Sequence, residues 1–123
     1  MSIELNHTIV TATDKKASAQ FLADVLGLEV GPQDGPFLPV TIPNGVTLDY
    51  ADGDGGPIVS QHYAFLVSED DFDAIFGRIK ERGLPHWADP HHHHPDQINT
   101  RGGGRGVYWD DPDGHILEIL TRA

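Results

Sequence analysis

The sequence predicts an α+β fold made of two similar halves. Three observations point to it. Segments that alternate apolar and polar residues flank two stripes of helical spacing; a run that no core could use, Asp-Gly-Asp-Gly-Gly-Pro at 52–57, divides the chain; and the order strand, helix, hairpin starts again beyond it. A single domain is expected over 1–123, with a first module at 3–52, a linker at 53–57 and a second module at 58–121.

In the first half, Glu4 to Thr11 sets Leu5, His7, Ile9 and Thr11 against Asn6, Thr8 and Val10, the period of a strand. Thr13 and Asp14 offer an N-cap. Ala17, Phe21, Leu22, Val25 and Leu26 then recur at helical spacing until Gly27 ends the helix. Phe37 to Ile42 and Val46 to Ala51 read as strands joined through Pro43-Asn44-Gly45, an Asn-Gly turn.

In the second half, Ile58 to Val67 is a strand with Ser60, His62, Ala64 and Leu66 on one face and Gln61, Tyr63, Phe65 and Val67 on the other. Ser68 and Asp71 form a capping-box pattern ahead of the stripe Phe72, Ile75, Phe76 and Ile79, and the helix ends at Gly83. Leu84 to Gly106, rich in His, Pro and Gly, reads as irregular. Val107 to Trp109, turn formers from Asp110 to Gly114, and His115 to Thr121 make a closing hairpin. Each half is β-α-β-β, with room for a further short strand after the helix.

Composition excludes several classes of function. Nineteen acidic against eight basic side chains give a formal net charge of −11, which repels nucleic acid and anionic membranes. With no cysteine, there is no disulfide, thiolate zinc site or thiol nucleophile. No apolar run approaches the ~20 residues of a membrane span, and Met-Ser-Ile-Glu-Leu-Asn has none of the features of a signal peptide, so a cytoplasmic location is expected. The run Arg101 to Gly106 lacks the Lys-Ser/Thr and following helix of a phosphate-binding loop, and no nucleotide cofactor is expected. Small molecules remain as partners.

Superposing the halves brings chemistry-bearing residues into correspondence. His62 follows His7 by 55 residues, and Glu69 follows Asp14 by the same interval. Val46 to Tyr50 aligns with His115 to Ile119, which sets Asp49 against Glu118. Glu118 is anomalous in its own right, a carboxylate among Ile116, Leu117, Ile119 and Leu120 where an unpaired charge would be costly. Either histidine alone reads as a hydrogen-bonded strand residue. Two imidazoles with one or two carboxylates are instead a ligand set for a divalent metal such as Zn, Ni, Mn, Co or Fe(II).

Leu5-Asn6-His7-Thr8, the helix end Val25-Leu26-Gly27-Leu28, His62-Tyr63-Ala64-Phe65 and above all Asp111-Pro112-Asp113-Gly114-His115 leading to Leu117-Glu118 resemble the vicinal oxygen chelate superfamily. That superfamily includes glyoxalase I, extradiol dioxygenases, fosfomycin-resistance enzymes and bleomycin-resistance binding proteins. The resemblance covers nearly the whole chain. It implies two pseudo-symmetric βαβββ modules forming an open half-barrel cup, a homodimer, and metal ligands at His7, His62 and Glu118. Where glyoxalase I has a Glu that serves as fourth ligand or base, this chain has the shorter Asp49, which favours a three-ligand site. Tyr108 matches an active-site tyrosine of the fosfomycin-resistance group, and Arg101 and Arg105 lie in the region of its cationic loop, placed to meet an anionic substrate or to decorate a mobile loop. The implied function is Lewis-acid catalysis on a substrate with vicinal oxygens; the alternative is a bleomycin-resistance-like protein that sequesters a drug without chemistry.

The run His91 to His94, between Pro90 and Pro95, reads either as a metal-recruiting lid or as a solvated loop. His115 reads as a turn or surface residue, and Trp87, Trp109 and Tyr50 as core or cup-wall residues.

Overall fold

The computed structural model describes residues 1–123 as two compact units, Met1–Ile58 and Val59–Ala123. No helix is long and apolar enough to cross a membrane.

The first unit runs β1 (His7–Ala12), α1 (Lys15–Leu26), β2 (Leu38–Thr41) and β3 (Thr47–Asp52). Its open sheet has the order β1-β3-β2, with β1 parallel and β2 antiparallel to β3. The Asp14 carboxylate caps α1 by accepting from the N–H groups of Lys16 and Ala17, and Gly27 ends it at φ 74°. Val10, Ala12, Leu48, Tyr50, Leu38 and Val40 make the buried face, and Ala19, Leu22, Ala23 and Val25 of α1 are buried with them. The opposite face carries His7, Ile9 and Thr11 of β1, paired with Thr47, Asp49 and Ala51.

The second unit runs β4 (His62–Leu66), α2 (Glu69–Glu81), β5 (His86–Trp87), β6 (Gly106–Asp110) and β7 (Ile116–Leu120). Its sheet, order β4-β7-β6-β5, is parallel between β4 and β7 and antiparallel elsewhere. Val107, Trp109, Leu117 and Ile119 form its buried face, and Phe72, Ile75 and Ile79 supply the buried stripe of α2.

Four expectations need correction. The second unit is βαβββ as expected, but the first forms only one bridge after its helix, Val30 to Val40, rather than a further strand. β1 and β4 begin at His7 and His62, not at Glu4 and Ile58, because the parallel ladders with β3 and β7 begin there. β4 is also one residue shorter than β1, so the equivalent helix caps are Asp14 and Ser68, not Asp14 and Glu69. His115 is not a surface residue. It is 1% exposed, and its Nδ1 accepts the Gln61 N–H at 3.0 Å, fastening the start of β4 to the turn before β7.

Asp111 organises that turn. Its Oδ1 accepts the N–H groups of Asp113 (2.8 Å) and His115 (2.9 Å), while Oδ2 is buried with no hydrogen-bond partner. Burial raises the Asp111 carboxyl above the ordinary aspartate range, against the opposing pull of those two N–H groups and His115. A folded value above the unfolded one means stability that is complete below the unfolded value, near 3.9, and lost as pH rises through the folded value. Urea midpoints of the wild-type protein should therefore fall across that window, and Asp111→Asn, which keeps the acceptor Oδ1, should flatten this part of the pH profile.

Candidate functional site

The face of the second sheet opposite its apolar core is assembled by register. Ala64 of β4, Glu118 of β7, Tyr108 of β6 and Trp87 of β5 are successive cross-strand partners, so they share one face. His62, two residues before Ala64, belongs to the same face. Its Nε2 lies 2.9 Å from Glu118 Oε1, and its ring centroid is 5.9 Å from that of Tyr108. The Glu118 side chain is 11% exposed and that of His62 is 46%, so the carboxylate is largely withdrawn from water while the imidazole is half open to it.

Tyr108 is buried opposite Glu118 in the ladder, and its hydroxyl accepts from Arg101 Nη1 at 3.1 Å. Burial raises the phenol above its ordinary value, the Glu118 charge adds to the rise, and Arg101 works against it, so Tyr108 is neutral at physiological pH. Arg101 stands in a 3-10 turn, Arg101–Gly103, and its N–H meets Asn99 Oδ1 at 3.3 Å. Asn99 and Gly106 exchange two backbone hydrogen bonds, which tie that turn to the start of β6.

Arg105 faces elsewhere. Its Nε donates to Glu69 and its Nη1 to Asp73, each at 2.8 Å, and the guanidinium lies 4.3 Å from the Phe72 ring centroid. It fastens the entry to β6 onto α2. Hydrogen bonds from Thr121 and Arg105 hold the Glu69 carboxyl below its ordinary range.

The histidine run is an ordered loop. Asp89 accepts the N–H groups of His91, His93 and His94, which outweigh the upward push of burial and hold its carboxyl low. His92, at φ 62°, stacks on Trp87 with ring centroids 3.7 Å apart, and its Nε2 reaches Asp110 Oδ2 at 3.1 Å. Its four imidazoles do not converge on one point.

A half-exposed imidazole nitrogen and a largely buried carboxylate oxygen, 2.9 Å apart, form a donor pair suited to a divalent first-row cation. His7 and Asp49 occupy the corresponding places in the first unit. His7 pairs with Thr47 as His62 pairs with Ile116, and each carboxylate lies two positions further along its last strand. His7 is exposed, with Nδ1 2.8 Å from Asn6 Oδ1, and Asp49 is half-buried. The chain contains no group of three or more His, Asp or Glu side chains positioned around one point.

Residues 4–119 match the family model of the Glyoxalase/Bleomycin resistance protein/Dioxygenase superfamily. The chain belongs to this superfamily. It is 69% identical to the solved structure of oxidase ChaP-H2, covering 100% of this chain and 96% of that one with a TM-score of 0.97. With oxidase ChaP-H1 the identity is 63%, the coverage 99% and 98%, and the TM-score 0.95. Glutathione transferase FosA of Serratia marcescens is 29% identical over 120 residues, 94% of this chain and 78% of its own.

The Asp111-Pro112-Asp113-Gly114-His115 motif builds the turn that leads into β7 and so to Glu118. On the margin of that face stand Trp87, which the sequence offers as a core or cup-wall residue, and His92 of the histidine run; the stacking of the two and the contact of His92 with Asp110 were not foreseen. β5 is only two residues long, too short to show a period, although Asp89, two residues before the histidine run, was a usable signal for an Asx-type turn.

Three substitutions have definite expected outcomes. A Cβ at Gly106 would fall 2.9 Å from both Asn99 amide atoms, which are held by Ala88 O and the Arg101 N–H. Gly106→Ala should lower stability by about 1–3 kcal/mol in urea titrations, whereas Gly77→Ala, with open space around it in α2, should raise it by about 0.5–1 kcal/mol. Asp89→Ala should speed amide exchange at His91, His93 and His94 by roughly tenfold.

Proposed function

We propose that this chain is a divalent-metal-dependent enzyme that oxidises a small molecule bearing two adjacent oxygens, with dioxygen as the electron acceptor. The observation that carries the reading is the His62–Glu118 pair, beside Tyr108 and Arg101 on one sheet face. The reaction class is taken from the two full-length relatives named as oxidases.

In this reading His62 and Glu118 hold the cation, His7 is the third ligand, and Asp49 is a fourth ligand or a base. The bound metal supplies Lewis acidity toward the substrate oxygens. The neutral Tyr108 hydroxyl orients substrate at the rim of the site. Arg105 has Nε and Nη1 committed to Glu69 and Asp73, which leaves Arg101 as the cation better placed to attract an anionic substrate. We also assign a homodimer, because β1 and β4 are both edge strands whose Ile9 and Leu66 stand 53% and 65% exposed. A soluble, cytoplasmic location is part of the same reading.

His7→Ala, His62→Ala and Glu118→Gln should each reduce metal retained after dialysis by at least about tenfold, since even outer partners of metal ligands cost that much when removed. Unchanged metal content in all three would end the proposal. Mixing His7→Ala with Glu118→Gln protein tests the dimer, as recovered binding requires a site shared between copies. Drug sequestration without chemistry, the rival reading, would appear as full ligand affinity in metal-free protein by calorimetry.

A further inference from the structure

The loop that borders the site face carries metal-ligating side chains of its own. Asp89 gathers the N–H groups of His91, His93 and His94. The loop closes on β5 through the Ala88 N–H to His94 O at 3.0 Å and the Asp96 N–H to His86 O at 2.9 Å. His92 is committed to the fold, with its ring on Trp87 and its Nε2 against Asp110. With the backbone fixed and the middle imidazole anchored, the rings of His91 and His93 are left exposed, their centroids 6.0 Å apart and their planes inclined at 42°.

That separation suits one shared ion. A first-row cation is held about 2.0–2.1 Å from an imidazole nitrogen, and so roughly 3.2 Å from the ring centroid. Two rings on one ion therefore stand at most about 6.4 Å apart, and about 5.2 Å apart at a tetrahedral angle. The observed 6.0 Å lies inside the limit, and rotation of two exposed side chains closes the remainder.

We propose that His91 and His93 form a second divalent-cation site, selective for the ions that imidazole favours, Cu²⁺, Ni²⁺ and Zn²⁺, with solvent completing the coordination. It shares no residue with the His62–Glu118 centre and does not rest on that reading. Asp89 Oδ2 lies 3.8 Å from His93 Nδ1, too far to occupy the nitrogen by a hydrogen bond and near enough to favour a cation beside it. A net charge of −11 draws cations to the chain, and a loop already ordered by Asp89 leaves only two side chains to be immobilised on binding. His94 is exposed as well but stands outside this ring pair, which makes it the natural control.

The test is equilibrium dialysis of the full-length protein against glycine-buffered Cu²⁺ at low micromolar free ion, since Cu²⁺ is the tightest binder of the divalent series. Wild type should retain one equivalent more than either His91→Gln or His93→Gln, while His94→Gln should match wild type. Asp89→Ala keeps both imidazoles but frees the backbone, and should weaken this equivalent several-fold. Copper content unchanged in His91→Gln and His93→Gln overturns the proposal, as does a loss in only one of them. An equal loss in His94→Gln also overturns it, because binding would then follow histidine content rather than the pair. Asp89→Ala binding as tightly as wild type removes the preorganised loop from the account. Failure of the His62–Glu118 reading is distinguishable: His62→Ala would then hold as much Cu²⁺ as wild type, while the deficit of His91→Gln persists.

Discussion

A buried carboxylate is the constraint on which the second unit turns. Glu118 lies on a strand whose other face is fully apolar, and a charge withdrawn from water is tolerated only with close polar partners. The fold supplies them from three directions. His62 comes from the parallel neighbour β4, Tyr108 from the antiparallel neighbour β6, and Arg101 arrives behind Tyr108 from a turn tied to the same strand. Removing one partner would leave the others facing an uncompensated charge, so the cluster behaves as a unit.

Register makes the cluster possible, and turn chemistry makes the register. Parallel pairing sets His62 opposite Ile116, which leaves its long side chain leaning along the strand toward Glu118. That alignment is secured at its start by side chains outside the ladder: His115 Nδ1 takes the Gln61 N–H, and Ser60 donates to Gly114 O at 2.7 Å. Asp111 shapes the turn that delivers His115. The residues that look most like a motif are therefore the mounting of the site, several positions away from the groups they aim.

The sequence was legible where a residue's identity and its period agreed. Alternation assigned His62, Ala64 and Leu66 to one face, and the overlay of the halves paired Asp49 with Glu118, as the two parallel registers do. It misled where a side chain satisfied a distant backbone group. His115 follows a Gly in a turn and looks exposed, yet it is buried because the chain 54 positions earlier needs its nitrogen as acceptor. The histidine run was unreadable for a related reason. Its conformation is dictated by one carboxylate, Asp89, gathering three N–H groups, and a pattern of hydrogen bonds to backbone leaves no hydrophobic period.

Arg101 and Arg105 show how little separates scaffold from site. Both are arginines in one glycine-rich stretch, and sequence treats them alike. Strand parity divides them. Residues 106, 108 and 110 of β6 face Glu118, while 107 and 109 face the core. Arg105 continues the second set and meets the N-terminal part of α2, where Glu69 and Asp73 match its charge. Arg101, carried back across the sheet by the Asn99–Gly106 bridges, reaches the first set. A slip of one residue in β6 would exchange these faces, moving Tyr108 into the core and Trp109 onto the candidate site. Gly106 guards against it, since only a residue without a side chain lets Asn99 lie close enough to pin the strand at both its donor and its acceptor.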